Sequence, residues 1–321
     1  TDEGLTPSER QIIQIEKYKA KDPSPFIDET GLNSEMSSWV YPLNFIDFET
    51  SMVALPFNKG RRPYEQIAFQ FSHHTLDEKG NVEHVGEYIN TTPGAFPNFE
   101  FVRNLKTSLE KNKGSIFRYS NHENTVLLQI MDQLKKSEEP DKEDLIDWIM
   151  TITHKKDGKK VIWSGDRNMI DLWDLVKKFY YHPNANGSNS IKAVLPAVLF
   201  ESQFLREKYG KPVYGNQIKS LNFKDWTWLK FDGEGQIIDP YKQLEPLEKS
   251  EIEDHVFGAE IIKDGGAAAT GYAAMQFIEM SQAERAAITS ALLKYCELDT
   301  LAMVMTVEHW QEVLGQLEKA A

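Results

Sequence analysis

The chain has 321 residues, 40% of them hydrophobic and 26% charged, with a formal net charge of −13. That length can bury the core of one large domain or two small ones, and the charge excludes a protein coated in basic surface, although local basic clusters can still meet phosphates. No apolar run approaches the ~20 residues of a membrane span, no secretory pattern opens the sequence, and a single cysteine, Cys296, excludes an internal disulfide framework and suits a reducing, cytoplasmic setting.

Residues 1–40 read as an N-terminal helical extension, with one amphipathic helix from Pro7 to Lys21 that Pro23 and Pro25 break. The first residue is Thr1 rather than Met, so a processed chain or a piece of a longer protein is expected. The main domain, 41–321, opens on YPLNFIDFETSM (41–52), where Phe45, Ile46 and Phe48 predict a buried strand. Side chains alternate along a strand, so Asp47 and Glu49 share one face. Two such carboxylates on a core strand repel each other and lose hydration unless a cation sits between them. Asp-x-Glu is also common in an acidic chain: Asp141-x-Glu143 and Asp232-x-Glu234 read as solvated loop charges. Both readings, cation site and chance spacing, stand for Asp47 and Glu49 at this point.

Gln66–His73 and Val82–Asn90 are further strands, and the Asp77–Asn81 turn between them predicts an antiparallel meander. A helix follows over Phe99–Lys111, with Phe101, Leu105 and Leu109 at helical spacing, then a short strand at Ser115–Tyr119 and a helix at Glu123–Leu134. The order β-β-β-α-β-α predicts an α/β domain, a mixed sheet flanked by helices in the ribonuclease-H-like manner, and by itself says nothing of function. Beyond it come a helix over Asp141–Ile152, a strand at Val161–Ser164, a helix at Asn168–Phe179, a polar loop at 183–190 and an apolar segment at Ile191–Phe200. An irregular insertion is expected near 200–250. The last third is helical, with a Ser281-x-x-Glu284 capping box opening a helix that runs past Asp299. Two basic clusters, Lys59–Arg61–Arg62 and Lys155–Lys156–Lys159–Lys160, read as solvated loops when each is taken alone.

On the late helix, Tyr295 and Asp299 are spaced i, i+4 and share a face; a half-buried tyrosine beside a surface aspartate is the plain alternative. Asp47-x-Glu49 on the first core strand together with Tyr295-x-x-x-Asp299 resembles the tyrosine branch of the DEDD exonuclease superfamily. In that family a third acidic residue opens the helix after the fourth strand. Here the segment is YSNHEN and Glu123 takes that place, where the family more often has aspartate. The segments PYEQIAFQFSHH (63–74), YYHPNANGSNSIKAVLPAV (180–198), DPY (239–241), DGGAAATGY (264–272) and LLKYCELDTLAMV (292–304) look like the bacterial DUF2779 family, a predicted nuclease module of the DnaQ-like class. That resemblance spans about Tyr41 to Val304. It also implies a longer protein with an N-terminal nuclease-like region.

The resemblance implies a 3′→5′ exonuclease acting on a single-stranded DNA or RNA 3′ end with two divalent cations, Mg²⁺ or Mn²⁺, since oxygen-only ligands suit hard ions. Asp47 would bridge the two ions, Glu49 and Asp299 would complete the one that activates water, and Glu123 would support the other. Tyr295, with an ordinary pKa near 10, would orient the nucleophile. Phe48, Thr50 and His122 flank these positions as substrate contacts, His122 also reading as a partly exposed structural histidine. In the loop before residue 191, Ser188, Ser190 and Lys192 could meet phosphate, while Ser190 could equally cap the following helix. Asp171 reads as a structural hydrogen-bonding residue, and Trp226 and Trp228 as ordinary packing. A catalytically lapsed nucleic-acid-binding or scaffolding module, and an enzyme cleaving small nucleotides or dinucleotides, are the competing functions.

Overall fold

A computed structural model describes residues 4–244 and 265–317. Part of the insertion expected near 200–250, Asp264 of the DGGAAATGY segment, and the outermost residues of both termini lie outside the described residues.

The N-terminal elements are α1 (Pro7–Ala20), β1 (Phe26–Ile27) and α2 (Glu29–Met36). Next come β2 (Leu43–Ser51), β3 (Ile67–Leu76), β4 (Val82–Ile89), α3 (Asn98–Leu109), β5 (Ile116–Arg118), α4 (His122–Leu134) and α5 (Lys142–Ile152). The chain continues through β6 (His154–Asp157), β7 (Lys160–Ser164), β8 (Ile170–Asp171), α6 (Leu172–Phe179), β9 (Tyr180–Tyr181), α7 (Ile191–Glu201) and α8 (Gln203–Tyr209). After residue 264 it resumes in α9 (Gly265–Phe277) and α10 (Gln282–Val313).

A five-stranded mixed sheet in the order β4-β3-β2-β5-β8 forms the centre. Strands β2, β3 and β4 are the expected antiparallel meander; β5 lies parallel to β2 and β8 parallel to β5. Alternation along β2 divides the interior in two. Leu43 and Phe45 join a core with α7 and α10, whereas Ile46 and Phe48 join a core with α3, α4 and α5. The sheet is therefore flanked by helices on both faces, and each face of β2 is spoken for by its period of two.

Three expectations are corrected and one strand is placed. The helix expected from Asn168 starts at Leu172, because Ile170 and Asp171 pair with Phe117 and Arg118 as the edge strand β8. The strand expected at Val161–Ser164 is present within β7, and it forms a separate hairpin with β6, which carries the Lys155–Lys160 cluster on an exposed surface. The N-terminal extension holds two helices and a strand rather than one helix, and β1 pairs with β9. Its α1 begins at a Thr6–Glu9 capping box and docks through the buried Arg10, whose guanidinium donates to the Val176 and Tyr180 carbonyls. Finally, Gln203–Tyr209 at the start of the irregular stretch is helical, with Ser202 accepting from the Leu205 N–H as its cap.

The 32-residue α10 begins at the expected Ser281–Glu284 capping box and is buried over most of its second half. A ring of buried polar contacts ties it to the sheet. His74 Nδ1 meets Thr300 Oγ1 at 2.7 Å, Thr300 meets Ser72 at 2.8 Å, and Ser72 meets His84 Nε2 at 3.0 Å. His84 Nδ1 lies 3.1 Å from Glu297 Oε2. Tyr214 donates to Glu297 Oε1 and closes the ring at 2.9 Å from His74 Nε2. Burial raises the Glu297 pKa, but the hydrogen bonds from His84, Ser220 and Tyr214 outweigh it and hold the group below its ordinary value. Glu297 is therefore an anion held by hydrogen-bond donors inside the protein, the condition under which a buried charge is tolerated. Glu297→Ala, which strands His84, Tyr214, Ser220 and Asn222, is expected to lower the urea-unfolding free energy by about 3–5 kcal/mol, with a smaller loss for Glu297→Gln.

Candidate functional site

At the C-terminal ends of the parallel strands β2 and β5, three separated elements meet over a cavity of about 350 Å³. Such strand ends are the usual ligand-binding edge of an open sheet. Its lining includes Asp47, Phe48, Glu49 and Thr50 from β2, Glu123 and His122 from α4, and Tyr295 and Asp299 from α10. Tyr119, Ser120 and Gly265 complete it.

Each acidic group arrives by a local rule. Asp47 and Glu49 are two residues apart on one face of β2, before a register shift between Glu49 and Thr50. Glu123 sits in the first turn of α4, where helix N-terminal N–H groups favour a carboxylate. The turn that delivers it, 119–121, includes Ser120 in the left-handed region at φ 86°. It is pinned by Asp171, which accepts from the Ser120 N–H at 2.9 Å and from Arg118 at 2.8 Å. Asp171 also caps α6 by accepting from the Trp173 N–H, so its role is structural, as its sequence context suggests. Asp299 lies one turn after Tyr295 on α10 and accepts a hydrogen bond from the Tyr241 hydroxyl.

Crowding these carboxylates where water is scarce alters their protonation. Burial, then repulsion from Asp299, Glu123 and Glu49, pushes Asp47 well above its ordinary value. Burial raises Glu123 to about 8, assisted by Asp171 and Asp299 and opposed by a backbone hydrogen bond and Arg118. Burial raises Asp299 to about 6, although the hydrogen bonds from Tyr241 and Tyr295 and the Lys192 charge pull the other way. The Tyr295 phenol is driven far up, first by burial and then by Asp299 and Glu49, and stays protonated. Cys296 Sγ lies 3.7 Å from Asp47 Oδ2, and burial beside these carboxylates likewise keeps it a thiol.

The residues fit hard divalent cations. Asp47 and Glu49 present carboxylate oxygens within 4.8 Å of each other, and Glu123 Oε2 is buried with no hydrogen-bond partner among the described residues. An orphaned buried carboxylate oxygen beside other carboxylates is what cation ligation would satisfy.

The remaining sequence-derived positions divide. Lys192 reaches the site, its Nζ 4.9 Å from the Tyr295 ring centre. His122 Nε2 lies 3.1 Å from Thr50 Oγ1 at the cavity edge. Ser188 and Ser190 do not line the cavity: Ser188 Oγ accepts from the Ser190 N–H, and Ser190 occupies the N-cap position of α7 without a side-chain capping bond. The Phe48 ring turns to the opposite face and packs edge-on against Phe101 at 4.8 Å. Trp226 and Trp228 pack with Phe223, Trp228 fully buried. Sequence reasoning missed Tyr241 and the proximity of Cys296 to Asp47. The DPY segment was the available signal for the tyrosine, but nothing local marks it as a partner of Asp299.

Residues 44–190 match the model of a family described as "Domain of unknown function (DUF2779)". No curated protein and no solved structure matches the chain. The matched segment carries Asp47, Glu49 and Glu123 and ends before Tyr241, Tyr295 and Asp299, which join the site through the folded geometry.

The raised carboxylate values set a pH dependence with a definite sign. Groups whose folded pKa exceeds the unfolded value stabilise the fold at low pH, and that stability is lost as pH rises through about 6 for Asp299 and about 8 for Glu123. In EDTA, melting temperature is expected to fall between pH 5 and pH 8.5. Mn²⁺ should raise it by about 5 °C or more at pH 8 and less at pH 5.5. Asp47→Asn should raise the melting temperature in EDTA at pH 8 and abolish the Mn²⁺ response, both read by thermal unfolding.

Proposed function

We propose that this chain is a divalent-metal-dependent 3′→5′ exonuclease that hydrolyses phosphodiester bonds at single-stranded nucleic-acid ends, built on a ribonuclease-H-like sheet of the DnaQ-like kind. The observation that carries the reading is the convergence of Asp47, Glu49, Glu123 and Asp299, with Tyr295 beside them, in one cavity. The fold assignment draws support from the sheet order, an antiparallel three-strand meander continued by two parallel strands. The volume, about 350 Å³, lies at the small end of ligand pockets, roughly 300–1,000 Å³. It suits a splayed terminal nucleotide better than a duplex.

Asp47, Glu49, Glu123 and Asp299 would hold two Mg²⁺ or Mn²⁺ ions. When bound, such a pair lowers the pKa of the attacking water and stabilises the leaving oxygen. The chain's own groups do the positioning. Tyr241 and Tyr295 hold Asp299 in place by hydrogen bonds. Tyr295 remains a phenol, so it orients the nucleophile rather than removing its proton. Lys192 places a positive charge over the Tyr241 and Tyr295 rings, where a phosphate oxygen entering the cavity would be drawn.

With 5′-labelled oligonucleotides and Mn²⁺, stepwise shortening from the 3′ end is the expected result. Asp47→Ala should lower the rate about a thousand-fold and Tyr295→Phe about a hundred-fold, the scale of losing a preorganised charge or donor. Shortening that persists in excess EDTA or in Asp47→Ala would sink the proposal. No calorimetric binding of Mn²⁺ in the presence of a mononucleotide would favour a lapsed binding module instead.

A further inference from the structure

The connection between β2 and β3 and the outer side of α4 frame a second, larger groove of about 810 Å³. The Lys59–Arg61–Arg62 cluster lies here, joined by Lys136 from just beyond α4. Arg61 is committed to structure: its guanidinium stacks 3.4 Å over the Phe96 ring and pairs with Glu65 at 3.3 Å. Lys59, Arg62 and Lys136 are exposed. Among the described residues, no ion pair or side-chain hydrogen bond engages any of the three. The two acids on the rim are occupied, Glu65 by Arg61 and the Arg62 N–H, Asp132 by Lys135. Three uncompensated cations thus share one groove in a chain of net charge −13, which makes a local positive potential on a chain that is acidic overall.

An exposed ring stands beside them. Tyr64 is 63% exposed, held in the left-handed region at φ 57°, with its N–H fixed to the Val53 carbonyl at 2.8 Å. The groove and the acidic cavity share α4. Glu123 opens that helix in the cavity, and Gln129 to Lys136 line the groove. At 1.5 Å per residue the groove lies about 9–20 Å from Glu123 along the helix axis, a span of about three to six phosphates at duplex spacing.

We propose that this groove binds the phosphodiester backbone of a single nucleic-acid strand whose 3′ end lies in the acidic cavity, with Lys59, Arg62 and Lys136 neutralising phosphates and Tyr64 stacking on a base. The proposal rests on the exonuclease reading of the cavity. Charge complementarity and the shared helix α4 select this occupant, and neutralisation of phosphates with stacking on an aromatic ring is the general chemistry of single-strand binding.

The test uses the double charge reversal Arg62→Glu/Lys136→Glu, both side chains being exposed, with a 16-mer and a dinucleotide as substrates. The dinucleotide has no phosphate beyond the scissile one and cannot reach the groove. For the 16-mer, kcat/KM should fall at least ten-fold through KM, and the slope of log affinity against log salt should flatten by about 1.4. The dinucleotide should change by less than two-fold. Unchanged 16-mer KM and salt slope, or equal losses on both substrates, would overturn the groove and leave the exonuclease reading intact. A wild-type chain that binds the 16-mer in EDTA, loses that binding in the double variant, yet never cleaves with Mn²⁺ would keep the groove and overturn the nuclease. Absence of both binding and cleavage would overturn both.

Discussion

Mutual repulsion among carboxylates is the constraint around which this fold is arranged. Asp47, Glu123 and Asp299 come from β2, α4 and α10, and each is pushed towards its neutral form by burial in the same small cavity. An arrangement that raises the free energy of the charged state at neutral pH survives only because other parts of the structure over-determine it. Those parts are identifiable. The Asp171–Arg118 pair fixes the turn before α4, Tyr241 holds Asp299, and the alternation of β2 commits Ile46 and Phe48 to one core so that Asp47 and Glu49 must face the other way.

Helix α10 carries most of that burden. On one side it presents Tyr295 and Asp299 to the cavity. Between them in sequence, Glu297 points into the ring with His84, Ser72, Thr300, His74 and Tyr214. Two buried polar systems of opposite character therefore bracket one helix. The first crowds carboxylates that burial and mutual repulsion push towards their neutral forms; the second surrounds one carboxylate with hydrogen-bond donors.

The parts of the site readable in the sequence obey local geometry. The Asp47–Glu49 pair follows from period two within an apolar run, and Tyr295 and Asp299 from i, i+4 spacing behind a capping box; Glu123 is implied only by the family resemblance, which puts an acidic residue at the start of that helix. The meander was equally legible, because turn residues separate three alternating runs. Strand β8 was not: two residues with a helical pattern after them read as helix until Arg118 and Phe117 supply a partner. Nor could the roles of Ser188 and Ser190 be read, since a polar loop serves a ligand or its own backbone with the same residues.

Taken alone, the sequence determined the elements and which side chains share a face, because both depend on spacing within a few residues. It also determined that a buried strand carries two carboxylates. Only the tertiary structure decided that these meet Glu123 and Asp299 in one cavity, that Tyr241 and Cys296 touch them, and that Arg61 is spent on Phe96 while Lys59, Arg62 and Lys136 are left facing a groove. The physical reason is that desolvation, repulsion and pairing act through space between residues up to about 250 positions apart, 249 for Cys296 and Asp47. No local pattern encodes which distant group will supply the partner.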